Sequence, residues 1–262
     1  MKSKKSFNYL VKNMHIRKKI LQYQRCREHG LSAFDSVLVA LRNTRTVTGS
    51  FDSGGKSIIT NWRDARGLKD HEPKTAKWIQ GKKGVFYDIG AHIGKFSFAA
   101  ELAGMQVYAF EPHFENFRTI CHNVILNKSK VAPFQIAVLG KTGVEAFPLS
   151  SYSSGSANHG NKERGMILMP VISFSLNDLR SILKLPPPTY LKIDVDGAEA
   201  QILEGSSLDS VKEILVEVGS DESKDRVHQI LSTSFKLVDT DDLIGVRERG
   251  HEYPRNEFWA RK

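Results

Sequence analysis

From residue 84 onward, short apolar runs alternate with amphipathic stretches of helical length. This alternation is typical of βαβ units, in which helices join parallel strands. The predicted strands are Val85–Ile89, Gln106–Phe110, Phe134–Val138, Tyr190–Val195, Glu213–Val218, Lys236–Asp239 and Phe258–Arg261, with a further hairpin strand at Val144–Leu149. The predicted helices are Ile93–Ala103, Phe114–Leu126, Leu176–Leu183, Ala198–Glu204 and Asp225–Thr233. The pattern predicts an α/β fold built on a mostly parallel, seven-stranded sheet.

Composition excludes several other classes of protein. A chain of 262 residues with 40% hydrophobic and 26% charged residues is neither disordered, collagen-like nor a disulfide scaffold. No apolar run approaches the roughly 18–20 residues of a membrane-spanning helix, so no integral membrane segment is expected. Cys26 and Cys121 lie far apart, which argues against a zinc ribbon. We therefore expect a reduced, cytoplasmic protein.

Positive charge is concentrated at the start of the chain. The formal net charge is +9, and residues 1–30 contain nine Lys and Arg against one acid, Glu28. Apolar residues recur there at helical spacing, which predicts a basic amphipathic helix. Such an arm could contact an anionic surface (a membrane, a nucleic acid or a charged glycan), or it could pack its apolar side onto the domain.

We predict two parts in this chain. Residues 1–80 form the basic arm and an accessory helical region, to which the sequence assigns no function, and residues 81–262 form the main domain. Within the main domain, a polar loop from Ser150 to Gly165 includes Ser154, Ser156, Asn158 and His159. These four side chains are candidates to reach an active site, because long loops are usually functional or mobile.

A glycine turn follows the first predicted strand of the main domain. Asp88, Gly90 and Gly94 lie where this strand gives way to a helix. Glycines at such a turn let a ligand approach the backbone, and the helix start offers free N–H groups. Glu111 ends the next strand, 21 residues after Gly90, where a carboxylate can accept both hydroxyls of a ribose. Together these features predict a ligand that contains adenosine.

The spacing of the glycines narrows the choice of ligand. The turn reads Gly90-Ala91-His92-Ile93-Gly94, which is neither the G-x-G-x-x-G of a dinucleotide site nor a P-loop. The remaining pattern, D-x-G-x-x-x-G, resembles the start of class I S-adenosylmethionine-dependent methyltransferases. Four blocks resemble the FkbM-type methyltransferases in particular: Phe86–Phe98, Val107–Phe117, Leu191–Gly205 and, more weakly, Ile214–Gly219. His92 departs from that family, which commonly has Asn there.

The resemblance implies a Rossmann-like class I methyltransferase fold, S-adenosylmethionine as cofactor, and a hydroxyl of a sugar, lipid or natural product as acceptor. The implied cofactor-binding residues are Asp88, Gly90, Ala91, His92, Gly94, Glu111, Pro112, Ala137 and Asp194. The candidate catalytic residues are Asp194, His92 and Lys192, with Asp194 or His92 as general base.

A divalent cation such as Mg²⁺ is a second possible source of catalysis. Asp194, Asp196 and Glu217 end two neighbouring strands and could hold such a cation, which would lower the pKa of the acceptor hydroxyl. Alternatively, Asp194 contacts the amino group of the cofactor, and Glu199 or Glu217 pairs with Lys192.

Absent motifs favour an oxygen acceptor. The chain lacks the [ND]-P-P-[YFW] motif of many amino methyltransferases and the Pro-Cys nucleophile of the cytosine C5 type. We therefore expect a saccharide, glycolipid or related metabolite as acceptor. Two alternatives stay open: an RNA-directed methyltransferase or nucleic-acid-binding protein that uses the basic arm, and a NAD-dependent oxidoreductase that uses the βαβ unit with Glu111.

Overall fold

A computed structural model describes residues 48–53, 56–61, 72–149, 167–195, 197–242 and 255–262. The predicted basic arm, the polar loop and Asp196 lie outside the described residues. Two compact units divide the chain, and the larger one contains residues 68–262. The proposed boundary after residue 80 stays a prediction. No helix in the described part of the chain is long and apolar enough to span a membrane.

The order of elements along the chain follows the predicted alternation. The strands are β1 (Thr48–Ser53), β2 (Lys56–Asn61), β3 (Val85–Ile89), β4 (Gln106–Phe110), β5 (Ala132–Phe134), β6 (Ala137–Val138), β7 (Gly143–Leu149), β8 (Ile167–Phe174), β9 (Tyr190–Ile193), β10 (Glu213–Val218), β11 (Phe235–Asp242) and β12 (Arg255–Arg261). The helices are α1 (Pro73–Ile79), α2 (Lys95–Ala103), α3 (Phe114–Asn127), α4 (Leu176–Leu183), α5 (Glu199–Leu203) and α6 (Asp221–Leu231).

Seven strands form the main sheet in the order β5-β4-β3-β9-β10-β12-β11. The five strands from β5 to β10 run parallel, and β12 is antiparallel to both β10 and β11. This topology confirms the predicted Rossmann-like α/β fold. Because parallel strands end at the same edge of a sheet, the carboxyl ends of β3, β4, β9 and β10 meet there. Strands β4 and β5 lie on one side of β3, whereas β9 and β10 lie on its other side, and this change of side leaves a crevice at the carboxyl ends of β3 and β9.

The two faces of the sheet are buried differently. One face packs an apolar cluster that includes Tyr87, Phe110 and Trp259. The opposite face carries Phe86 and Asp88, because side chains alternate along a strand. Helix α1 covers part of this second face through Trp78, whose ring lies 6.2 Å from that of Phe86. The charged residues described below lie on this second face.

Three parts of the predicted secondary structure are wrong. The single strand Phe134–Val138 is two strands, because the chain leaves the main sheet after Phe134 and pairs with β8 from Ala137 onward. Strand β8 was not predicted at all. The described part of the accessory region (residues 1–80) contains helix α1 and a two-stranded sheet of β1 and β2, and this sheet was not predicted.

Strand β8 is difficult to predict from the sequence because it contains a proline, Pro170. Pro170 lies opposite Ala146 of β7, and a proline usually argues against an internal strand. It is tolerated here because, among the described residues, β6 pairs with β8 only at Ser173 and Phe174, so no described strand pairs with that side of β8 at Pro170.

Candidate active site

The end of β9 packs against the glycine turn between β3 and α2. Gly90 has a φ of 78°, and a Cβ placed on it would lie 1.8 Å from the carbonyl oxygen of Asp194. The main chain of Asp194 is held at the turn by a 3.0 Å hydrogen bond from its N–H to the carbonyl of Ile89. Glycine is therefore required at residue 90 for the end of β9 to pack against the turn.

Glu111 closes the same turn from the side of β4. Its carboxylate is 5% exposed and accepts hydrogen bonds from the N–H groups of His92 (2.8 Å) and His113 (2.9 Å) and from the amide of Asn116 (3.3 Å). Burial raises the pKa of Glu111 to about 7, although these three hydrogen bonds act in the opposite direction. Glu111 thus joins the glycine turn to the start of α3.

This raised pKa predicts that Glu111 makes the unliganded protein less stable as the pH rises. The carboxyl titrates near 4.5 when exposed and near 7 when folded, so its contribution is full below about pH 4.5 and is lost as the pH passes 7. Between pH 5 and pH 8 the loss should be roughly 2–3 kcal/mol. Urea unfolding of the wild type and of Glu111→Gln at both pH values measures it. Equal pH dependence in the two proteins would contradict the prediction.

A buried lysine lies beside the turn, on the second face of the sheet. Lys192 is 2% exposed, and its Nζ lies 2.8 Å from Oδ2 of Asp194 and 3.6 Å from Oδ1 of Asp88. Burial alone would lower the pKa of Lys192, but the charges of Asp194 and Asp88 outweigh burial and raise it. Lys192 therefore stays protonated and holds the two carboxylates. Asp88 also accepts a 2.5 Å hydrogen bond from Ser97.

Glu72 and Asn256 lie near this cluster and were not predicted from the sequence. Glu72 precedes α1 and accepts hydrogen bonds from Asn256 (2.9 Å) and Thr75 (3.2 Å). Burial raises the pKa of Glu72, and the charge of Lys192 lowers it, so Glu72 lies within electrostatic range of Lys192. The sequence signal available was weak: Glu72 is followed by Pro73, a residue favoured in the first turn of a helix.

His92 occupies the turn in a left-handed backbone conformation, with a φ of 52°. Desolvation by the surrounding protein lowers the pKa of His92 even though part of its side chain reaches solvent, and the charge of Asp194 acts in the opposite direction. A lowered pKa keeps the imidazole neutral near pH 7, which is the state that a general base requires.

The predicted metal ligands are only partly described. Asp194 pairs with Lys192, Glu217 lies opposite Asn256 in the β10–β12 ladder, and Asp196 lies outside the described residues. Among residues that the structure does describe, no three His, Cys, Asp or Glu side chains are grouped to hold a metal ion. Glu199 accepts hydrogen bonds from the N–H of Gly197 (2.8 Å) and from Ser223 (3.0 Å).

Six buried polar atoms among the described residues have no hydrogen-bond partner. They are Asp88 Oδ1, which lies 3.6 Å from Lys192 Nζ, and His113 Nδ1, Asn116 Oδ1, Asn123 Oδ1, Arg180 Nε and Trp259 Nε1. Asn123 also donates 3.2 Å to the carbonyl of Ile93 in the glycine turn. An unpaired buried polar atom costs about 1–3 kcal/mol, and one of these atoms, Asn116 Oδ1, belongs to a residue that is hydrogen-bonded to Glu111. Two other residues were predicted to contact the cofactor: Pro112, which is half-buried, and Ala137, which is buried at the start of β6.

Comparison with known proteins finds similar sequences and similar solved structures. The hexuronic acid methyltransferase AglP of Haloferax volcanii is 26% identical over 173 residues, which are 63% of this chain and 71% of AglP. Among solved structures, a fibrillarin/Nop5p complex is 14% identical with a TM-score of 0.45, over 72% of this chain and 81% of that chain. The C-terminal domain of the precorrin-6Y C5,15-methyltransferase from Rhodobacter capsulatus is 13% identical with a TM-score of 0.40, over 72% and 89%.

The model of the FkbM methyltransferase domain matches residues 88–253, from the glycine turn to the segment before β12. This match covers more than half of the chain and includes Glu111, Lys192 and Asp194. The chain therefore belongs to the FkbM methyltransferase family, and its cofactor is S-adenosylmethionine.

Proposed function

We propose that this protein transfers the methyl group of S-adenosylmethionine to a hydroxyl oxygen of a saccharide that contains a hexuronic acid. The observation that carries the proposal is that two features lie at the same edge of the sheet. One is the glycine turn with its hydrogen bond to Glu111, and the other is the Lys192–Asp194 ion pair. The relative AglP, a hexuronic acid methyltransferase by name, supports this class of acceptor.

The proposed cofactor residues come from several elements. Gly90, Ala91, His92 and Gly94 belong to the turn, Asp88 to β3, and Ala137 to β6, while Glu111 and Pro112 follow β4 and Asp194 follows β9. The buried Oδ1 of Asn116, which has no hydrogen-bond partner and belongs to a residue bonded to Glu111, supports binding of a polar ligand there. When bound, S-adenosylmethionine supplies a methyl group that is activated by its positively charged sulfur.

The side chains proposed for proton transfer are Asp194 and His92. The acceptor hydroxyl must lose its proton as its oxygen gains the methyl group, so a base has to lie nearby. Asp194 has a side chain that is 30% exposed, and the lowered pKa of His92 leaves its ring able to accept a proton. Lys192 stays protonated, so its proposed role in catalysis is to hold Asp194 in place.

We also propose roles for the regions outside the crevice. The described residues do not fit a divalent cation by themselves, so we assign no step to one. The basic arm of residues 1–30 is proposed to contact an anionic surface, on the support of its nine positive charges. Residues 1–80 are proposed to form an accessory region and residues 81–262 the methyltransferase domain, and the protein is proposed to act in the cytoplasm.

Calorimetric titration with S-adenosylhomocysteine tests the cofactor site. Glu111→Ala should weaken binding by roughly 1.5–3 kcal/mol, which is about 10-fold to 150-fold, since a charged hydrogen-bonding group is lost. Glu115→Ala is a matched control, because Glu115 lies in the first turn of α3 but pairs with Arg118 instead. Binding of NAD and not of S-adenosylhomocysteine would contradict the proposal.

The acceptor is tested with radiolabelled S-adenosylmethionine. A glucuronic-acid oligosaccharide and a glucose oligosaccharide of equal length are the two substrates, and the glucuronic-acid one should be methylated faster. The label should survive mild alkali, because a methyl ether is stable to base and a methyl ester is not. Alkali-labile label would place the methyl group on the carboxylate and would contradict transfer to a hydroxyl.

A further inference from the structure

Lys95 lies where a helix is least suited to a positive charge. It is the first residue of α2, and the first turn of this helix contains no acidic residue. The N-terminus of a helix carries a partial positive charge, so a lysine at this position lowers the stability of the helix. Residues that oppose a local preference in this way are expected at functional sites. The position of Lys95 therefore indicates a role outside the helix.

The ammonium group of Lys95 lies near the buried Lys192–Asp194 pair. The Nζ atoms of Lys95 and Lys192 lie 5.1 Å and 5.5 Å from the centre of the same ring, that of Phe96. Burial raises the pKa of Glu72, the charges of Lys192 and Lys95 act to lower it, and the charge of Asp194 acts to raise it. Lys95 and Asp194 therefore both lie within electrostatic range of Glu72.

The two lysines differ in their access to a substrate. Lys192 is 2% exposed, and its ammonium group is held by Asp194 and Asp88. Lys95 is only half-buried, and the long, flexible side chain of a lysine can extend from such a position toward a ligand. Of these two cations, Lys95 is the one that an acceptor can contact.

The acceptor proposed above brings a negative charge to this cluster. A hexuronic acid contains a carboxylate, which is ionised at neutral pH. The carboxylates of Asp88 and Asp194 outnumber the ammonium group of Lys192, so an acceptor carboxylate would meet net negative charge unless another cation faces it. Lys95 supplies such a cation, and a neutral sugar has no group that would pair with it.

We propose that the ammonium group of Lys95 pairs with the carboxylate of the acceptor sugar and thereby selects a hexuronic acid over a neutral hexose. This inference rests on the proposed function and adds to it the residue that recognises the charge of the acceptor. Lys95 acts here on specificity alone, and proton transfer remains with Asp194 or His92.

The test compares kcat/KM for the glucuronic-acid and glucose oligosaccharides, with radiolabelled S-adenosylmethionine as the methyl donor. The wild type should favour the glucuronic-acid oligosaccharide by about 10-fold or more, which is the usual effect of a hydrogen bond between charged groups. In Lys95→Gln this preference should disappear, mainly through a higher KM for the charged substrate. Each preference is a ratio measured on one preparation, so a smaller folded fraction cannot change it.

Three comparisons separate the effect of charge from an effect on structure. Lys95→Arg keeps the positive charge and should keep most of the preference. Lys83→Gln removes a lysine at the other end of α2, where Lys83 Nζ donates to the carbonyl of Ala103, and should leave the preference unchanged. Lys95→Gln should resist urea at least as well as the wild type, because it removes a cation from the N-terminus of the helix.

The outcomes distinguish this inference from the proposed function. A full preference in Lys95→Gln would overturn the inference and leave the proposed function standing. Weaker binding of S-adenosylhomocysteine by that variant, with an equal loss of kcat/KM on both oligosaccharides, would do the same, since Lys95 would then hold the carboxylate of the cofactor. A wild type that methylates the glucose oligosaccharide equally well, or methylates neither, would overturn both.

Discussion

Gly90→Ala is expected to destabilise the protein by about 3–5 kcal/mol. Part of the cost is the φ of 78°, which disfavours any residue with a Cβ by about 1–2 kcal/mol. The larger part is the contact of only 1.8 Å between that Cβ and the carbonyl oxygen of Asp194. A backbone atom cannot rotate away as a side chain can, so the turn and the end of β9 must separate. Urea unfolding followed by circular dichroism measures the loss.

Gly81 provides a matched control for this substitution. It has a φ of 74°, close to that of Gly90, but a Cβ placed on it meets nothing within 4 Å. Gly81→Ala should therefore cost only about 1–2 kcal/mol, and the difference between the two variants isolates the collision with Asp194. Equal losses would show that backbone conformation alone requires Gly90, and would contradict the packing argument.

Lys192→Met is expected to cost about 3–5 kcal/mol at neutral pH. Removal of the ammonium group leaves Asp88 as a buried carboxylate without its cation, and breaking a buried pair in this way is strongly destabilising. The loss should shrink as the pH falls, because a protonated Asp88 carries no charge. The free energy of unfolding of variant and wild type, compared at pH 5 and pH 8, measures both effects.

Two comparisons show whether burial is the cause. Lys74 pairs with Asp239 at 3.0 Å, but both side chains are about half exposed. Lys74→Met should therefore cost no more than about 1 kcal/mol. Adding Asp88→Asn to Lys192→Met should recover part of the loss, because the unpaired charge is removed. A double variant as unstable as the single one would contradict the charge argument.

The fold could be predicted largely because its signals are local. Strands β3, β4 and β10 have the predicted bounds, since each is a mostly apolar run that is largely buried on both sides. Helix α6 begins at Asp221, four residues earlier than predicted. The sequence does contain a start signal there, because Ser220 caps the helix by accepting a hydrogen bond from the N–H of Ser223. Strand β8 was not recognised, because Pro170 lies within it and prolines seldom occur inside strands.

Only those contacts of the candidate site that lie within a single sequence motif could be predicted. The pairing of Lys192 with Asp194 follows from alternation along one strand. The approach of Asp194 to Gly90 does not, because it depends on how β9 lies beside β3. Glu72 and Asn256 lie outside the recognised motifs and meet by a hydrogen bond that spans 184 residues of sequence. No local pattern encodes such a contact.

The position of β12 in the sheet has a consequence for biosynthesis. This strand inserts between β10 and β11, although both are made before it. In the described sheet β12 is the neighbour of β11, so a nascent chain that has reached β11 has nothing to pair it with. Leu237 and Val238 stay partly exposed even in the finished protein. An unpaired strand is a template for aggregation, and the first half of β11 is largely apolar, so we expect the chain to be prone to aggregation in the interval before β12 inserts.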